Sequence, residues 1–385
     1  MADLLHNNAS NTTLRRTRKV VAGPVTIGGE EPIVVQSMCA TKTTDILATL
    51  EQIRMLKEAG AALIRVAVDS RRDVDALREI RKETKAPLVV DLQENYRLVS
   101  DVAPLVEKVR YNPGHLHHHE KEKSVKDKVK FIVDTAGSYN CAIRIGVNFG
   151  SLDPEKKGRC NNEMEAAVAC AIEHCDMLDS MGFYNYVVSL KSSDPFAVIK
   201  INQAFAEKRP EVPIHLGVTE AGLPPGGIIK TRIAFEKLLG LGIGETIRVS
   251  LTLPIDKKFE EVKAAYEIIE DVKKGTFLSS RYTGINGLNI ISCPSCSRVE
   301  NASFVELAEK IRDAVSFADD HNISIAVMGC RVNGPGETDV ADLGLWCGPK
   351  KVNLKRGSKL IGAFGYDEVV DALLRELKDI LASRT

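Results

Sequence analysis

The residues best suited to do chemistry lie between Cys293 and Glu337. The run CPSCSR separates Cys293 from Cys296 by two residues, and Pro294 stiffens the turn between them. Further along, GCRVNGPGE sets Cys330 at the end of an apolar run and Glu337 seven residues later, on an expected Gly-Pro-Gly hairpin. Three soft thiolates and one hard carboxylate suit an iron–sulfur cluster with one weakly held iron. Everything upstream then has to be the vessel in which such a group acts.

A second set of reactive groups sits in that vessel. From residue 33, short β-branched runs alternate with amphipathic helical stretches. The runs are IVVQSM (33–38), LIRVAV (63–68), PLVVDLQ (87–93), KVRYNP (108–113), AIRIGVN (142–148), NYVVSLKS (185–192), PIHLGVT (213–219) and TIRVSLT (246–252). Eight βα units in about 240 residues predict a closed (β/α)8 TIM barrel over 33–273. An open doubly wound sheet is the competing arrangement, but no G-x-G-x-x-G follows the first strand. Buried parallel strands should be apolar throughout. Here Arg65, Arg110, Arg144, Lys191 and Arg248 interrupt five of them, accompanied by Asp91, Asn112, Asn148, His215, Glu220 and Ser250. An unpaired buried cation is costly, and Asp91 and Glu220 are too few to neutralise five. Helix carboxylates outside the barrel account for one or two at most. The rest call for a multiply anionic ligand at the C-terminal mouth, held by forked arginines, and phosphate fits best.

Residues 1–32 read as an N-terminal arm leading into the barrel, frayed at its start. Residues 274–288, rich in Gly, Ser and Thr, read as a linker. The remaining 289–385 form a small α/β iron–sulfur domain with cysteines at strand ends. The chain of 385 residues carries 52 basic and 52 acidic side chains, so no net field points to nucleic acid or to a membrane. Nine cysteines, an odd count without an apolar leader, fit a reducing cytoplasmic setting better than a disulfide framework. His115, His117, His118 and His119 read as a solvated loop, and Cys39, Cys141, Cys160, Cys170 and Cys175 as packing residues.

The motifs KVRYNPGH, IRIGVNFGSL, VVSLKSSD, PIHLGVTEAG, GIGETIRVSLT, ISCPSCSR and MGCRVNGPGE together resemble the bacterial 4-hydroxy-3-methylbut-2-enyl diphosphate synthase family of the methylerythritol phosphate pathway. The resemblance implies a [4Fe-4S] cluster on Cys293, Cys296, Cys330 and Glu337, with Glu220 as the catalytic acid/base. It implies diphosphate and hydroxyl contacts from Arg110, Asn112, Arg144, Asn148, Lys191, Arg248 and Ser250, a set to which Arg65, Asp91 and His215 are added. The implied reaction is the two-electron reductive ring opening of 2-C-methyl-D-erythritol 2,4-cyclodiphosphate to 4-hydroxy-3-methylbut-2-enyl diphosphate and water. Reduced flavodoxin or ferredoxin is the implied electron donor. The chain departs from the family pattern at Gln93, His115 and Ser297.

Geometry adds one expectation. Barrel helices run antiparallel to the strands, so the chain leaves the barrel at the face opposite the mouth. A head-to-tail homodimer, each second domain capping the partner's barrel, is the simpler solution, although 15 linker residues span about 50 Å when extended. A phosphate-binding barrel of the pterin synthase kind is the alternative, its second domain stapled by zinc on Cys293, Cys296, Cys330 and Cys347.

Overall fold

The computed structural model describes residues 15–92, 95–117, 119–149, 152, 160, 162–281, 288–296, 298–319, 321–330 and 333–384. Eight parallel strands form the predicted barrel: β3 (Val34–Met38), β4 (Leu63–Ala67), β5 (Leu88–Asp91), β6 (Lys108–Tyr111), β7 (Ala142–Asn148), β8 (Tyr186–Lys191), β9 (His215–Leu216) and β10 (Thr246–Ile247). β10 pairs with both β3 and β9, and a parallel bridge between Val188 and Ile214 closes the ring. A helix follows each strand, except that after β5 only a single α-turn, Val99–Val102, forms between 3-10 turns.

Side chains alternate along each strand. Val35, Ile64, Val66, Val90, Val109, Ile143, Ile145, Val188 and Leu190 point outward and pack with the helices into the main core. The opposite positions face the axis, and there the barrel is apolar only at its floor. Val34, Leu63, Val89, Ala142 and Val187 pack on Val20, Ala22 and Ile27, which belong to an antiparallel hairpin of β1 (Val20–Ala22) and β2 (Val25–Ile27). The hairpin seals the N-terminal end, so water reaches the axis from the other end. The segment read as an arm is therefore structured from Arg15, whose guanidinium bonds Glu245 at 2.8 Å. Residues 1–14 lie outside the described residues.

The second domain is a five-stranded sheet of β11 (Leu288–Ser292), β12 (Ile323–Met328), β13 (Leu343–Cys347), β14 (Val352–Arg356) and β15 (Lys359–Phe364). Helices Phe304–Ala314 and Val369–Arg384 bury their apolar faces in a core separate from the barrel's. Two features differ from expectation. β14 pairs with β13 through alternating Val352 and Leu354, a strand too short and charged to stand out in the sequence. The GPG run opens a helix, Gly334–Val340, rather than a hairpin, because proline is preorganised for the first helical turn, where its missing N–H is no loss.

The route between the domains also differs. The second domain sits on the mouth of its own barrel. Phe277 lies against Gly240 at the lower end of helix Gly226–Gly240, the Ser279 N–H bonds Glu236 one turn higher at 2.8 Å, and Lys230 bonds the Ile290 carbonyl at 2.8 Å. The described residues on either side of 282–287 thus contact one helix at points about 15 Å apart at 1.5 Å per residue, well inside the linker's reach. Of the linker, residues 282–287 lie outside the described residues, as do Gln93, His118 and Ser297. No helix among the described residues is long and apolar enough to cross a membrane.

Candidate active site

One cavity joins the halves. Met38, Arg65, Asp91, Arg110, Arg144, Asn148, Lys191, Glu220, Arg248 and Ser250 line it from the barrel, and Cys293, Cys296, Arg298, Cys330 and Asn333 from the second domain. Eight of the ten predicted ligand contacts are among them. Asn112 and His215 are not. Asn112 accepts from the Gly114 N–H at 3.2 Å and starts the turn after β6. His215 is fully buried below the mouth, beside Thr246, in register with Thr246 and, through it, with Val34 of the floor.

The five strand cations are poorly neutralised. Arg110 bonds Asp91 at 3.0 Å, and Arg248 has only a distant helix carboxylate, Glu261, at 3.9 Å. Arg65 points its fork at the Met38 sulfur, 2.7 and 3.0 Å away. Arg144 reaches the Ser189 hydroxyl at 3.4 Å. Arg65, Arg144 and Lys191 have no carboxylate within ion-pair distance among the described residues. Burial first, then mutual repulsion, lowers all three, Arg65 to about 9 and Arg144 and Lys191 far below their ordinary values. Asp91 moves the other way: burial raises it, but Arg110, Arg298, Arg65 and Arg144 outweigh that and hold it well below the usual carboxylate range. Glycines make the space. A Cβ on Gly146 would sit 2.1 Å from Arg110 Nε, and one on Gly217 2.4 Å from Lys191 Nζ.

Above the cations sits Glu220, buried and in the left-handed region at φ 47°, a strained backbone of the kind that marks functional sites. Its Oε1 accepts from Asn333 Nδ2 at 2.6 Å. Burial, and then the neighbouring Glu337, push its carboxyl up to about 8. Burial likewise raises Glu337, which accepts from Ser193 Oγ at 3.2 Å. Each carboxyl disfavours ionisation of the other, so both are biased toward the protonated form.

The thiols form the roof. Cys293 lies within hydrogen-bonding contact of Cys330, with Cys296 beside them. Ser295, in the turn between Cys293 and Cys296, takes φ 62° and bends the loop sharply. Barrel side chains hold this loop by its carbonyls: Thr252 Oγ1 bonds that of Cys293 at 3.1 Å, and Lys258 Nζ that of Pro294 at 2.8 Å. Three soft sulfur donors facing one cavity fit a thiolate-held iron–sulfur group. Among the described residues, no three His, Cys, Asp or Glu side chains gather tightly enough to grip a single metal ion. Glu337 borders this space through Glu220 rather than lining it. Cys347, the fourth residue of the zinc alternative, is buried in the second core against Tyr366. Sequence reasoning assigned no role to Arg298, Asn333, Lys258 or Met38. The signal for the first two was present, since Arg298 closes CPSCSR and Asn333 precedes GPGE.

The GcpE TIM-barrel domain matches residues 17–266 and the GcpE protein C-terminal domain matches 289–379. A 4-hydroxy-3-methylbut-2-en-1-yl diphosphate synthase (flavodoxin) of Rhodopirellula baltica is 58% identical over 96% of this chain and 97% of its own. One of the same description from Aquifex aeolicus is 40% identical over 95% of this chain and 97% of its own. Among solved structures, a dihydropteroate synthase of Yersinia pestis has a TM-score of 0.46 at 13% identity, covering 66% of this chain and 98% of that one.

Proposed function

This chain belongs to the GcpE family, and on that premise we propose that it opens the ring of 2-C-methyl-D-erythritol 2,4-cyclodiphosphate reductively, giving 4-hydroxy-3-methylbut-2-enyl diphosphate and water. It is an oxidoreductase of isoprenoid precursor synthesis. The observation that carries this reading is the single cavity with under-neutralised cations below, thiols above and the buried Glu220 carboxyl between them. The zinc-stapled pterin-type alternative finds no support in the family match or in the placement of Cys347.

Arg65, Arg110, Arg144, Lys191 and Arg248, with Asn148 and Ser250, bind the diphosphate and offset the charge freed as the ring opens. Asp91 orients Arg110. Glu220 holds the proton that the departing hydroxyl needs, and Asn333 fixes its carboxyl through Oε1. Closure of the second domain excludes water from this site. Cys293, Cys296, Cys330 and Glu337 are the residues that would hold a [4Fe-4S] cluster. When bound, it supplies electrons singly and an iron able to polarise a substrate oxygen. The electrons come from reduced flavodoxin or ferredoxin, and nine free cysteines suit a cytoplasmic setting. Anaerobic turnover of the cyclic diphosphate with a chemical reductant tests the reading. Active brown protein with about four irons per chain is expected, and colourless zinc protein overturns it.

The assembly follows from the same interface. The halves are joined through residues 274–288, so either chain's second domain can cap a given barrel, and a head-to-tail homodimer exchanges the caps. In verified heterodimers of Glu220→Ala and Cys330→Ser chains, exchange leaves one intact site, and activity returns toward half of the native value. No recovery means that each barrel is capped by its own chain.

A further inference from the structure

Among the described residues, Arg298 is the one cation that the second domain places in the cavity. It bonds Asp69 at the barrel rim through Nε at 2.8 Å and Nη2 at 2.9 Å. Its Nη1 reaches Asp91 Oδ2 at 3.3 Å and its Nη2 the Asp91 carbonyl at 3.3 Å. The other Asp91 oxygen, Oδ1, takes Arg110 Nη1 at 3.0 Å, and Arg110 Nη2 also bonds the Gly146 carbonyl at 2.8 Å. One buried carboxylate is therefore split between a cation of the barrel and a cation of the cap. The Arg298 and Asp91 side chains are 6% and 3% exposed, whereas Asp69 is 25% exposed.

We propose that Arg298 is a positioning residue that latches the second domain onto the barrel through Asp69 and Asp91 and, through Asp91, ties closure to the orientation of Arg110. Closure carries a further cation toward Arg65 and Arg110, which repel it. Asp69 and Asp91 are the carboxylates that make the approach favourable when no anion is bound. Asp69 is the dock, paired in a two-pronged fork that lysine cannot reproduce. Asp91 is the relay, since drawing its Oδ2 toward Arg298 sets where Oδ1 holds the Arg110 fork. The role for Arg110 rests on the functional reading above. The latch itself does not.

The Ser292 amide reports closure directly, because it donates to the Glu220 carbonyl across the interface at 3.2 Å. In ligand-free full-length protein, Arg298→Met is expected to speed hydrogen exchange at Ser292 about tenfold, as sub-global opening does. Exchange at the Ile64 amide, bonded to Pro87 within the barrel, stays unchanged. Arg298→Lys falls between Met and native. Asp69→Asn, a change at a partly exposed site that spares the core, has a similar effect to Arg298→Met. The double variant opens little further, because both remove one interaction. Native-like Ser292 protection in Arg298→Met, or full additivity of the two single effects, overturns the latch. No step of this measurement needs turnover, so its outcome is independent of the reaction assigned above.

Discussion

The barrel and the second domain handle polar chemistry in opposite ways. The barrel mounts its reactive groups on rigid strands and tolerates cations such as Arg65, Arg144 and Lys191 without carboxylate ion-pair partners among the described residues. The second domain keeps its core apolar and puts its thiols on loops at strand ends. The Cys293–Cys296 loop leans on the barrel: Thr252 and Lys258 bind its backbone carbonyls, and Lys230 binds that of Ile290 in the strand before it. Strands thus preorganise the half that grips charge, while the half with the thiols takes its final shape from its neighbour. Strain follows the same division, since both Glu220 and Ser295 sit at the seam with positive φ.

This contrast can be broken at graded cost. The largest effect is expected at Glu220, where the seam meets the chemistry. Glu220→Gln keeps the bond to Asn333 but carries no ionisable proton, so kcat falls about 10²–10⁴-fold with KM little changed. A rise in KM alone would make Glu220 a binding residue. Next is Lys258, fully buried and bonded to Glu261 at 2.5 Å, to the Leu251 carbonyl at 3.1 Å and to Pro294. Lys258→Met removes the close cation from buried Glu261, leaving it the Leu251 N–H and distant Arg248, at a cost of about 3–5 kcal/mol seen in thermal melting. If the cysteine loop depends on the barrel, iron content falls in parallel. Full iron content in a destabilised variant would show that the loop holds itself. The smallest effect is at Gly146. Gly146→Ala drives a methyl into Arg110 Nε and raises KM roughly tenfold through loss of one bidentate phosphate contact, while melting shifts little. An unchanged KM would mean that Arg110 re-aims freely and that the strand scaffold is less rigid than argued.

Much of the barrel was legible because two periodicities and one chemical anomaly coincide. β-branched runs set the strands, and cations within them mark the inward face. The same logic also picked out His215 and Asn112, which do not line the cavity: His215 lies deeper in the barrel, and Asn112 accepts from the Gly114 N–H in its own turn. Parity is a local property, whereas depth depends on how neighbouring strands are staggered around the ring. Arg298 was passed over because its partners, Asp69 and Asp91, are over 200 residues away and no local pattern links them.

The sequence by itself determined the barrel's strand count, the cationic lining of the mouth and the candidate cysteine set, because alternation, helical period and ligand softness are encoded residue by residue. Tertiary structure alone decided that a hairpin seals the barrel floor. It also decided that the second domain meets the barrel mouth, and that Asp91 is shared between Arg110 and Arg298. Each of these depends on distances between residues far apart in the chain, which only the packed fold can set.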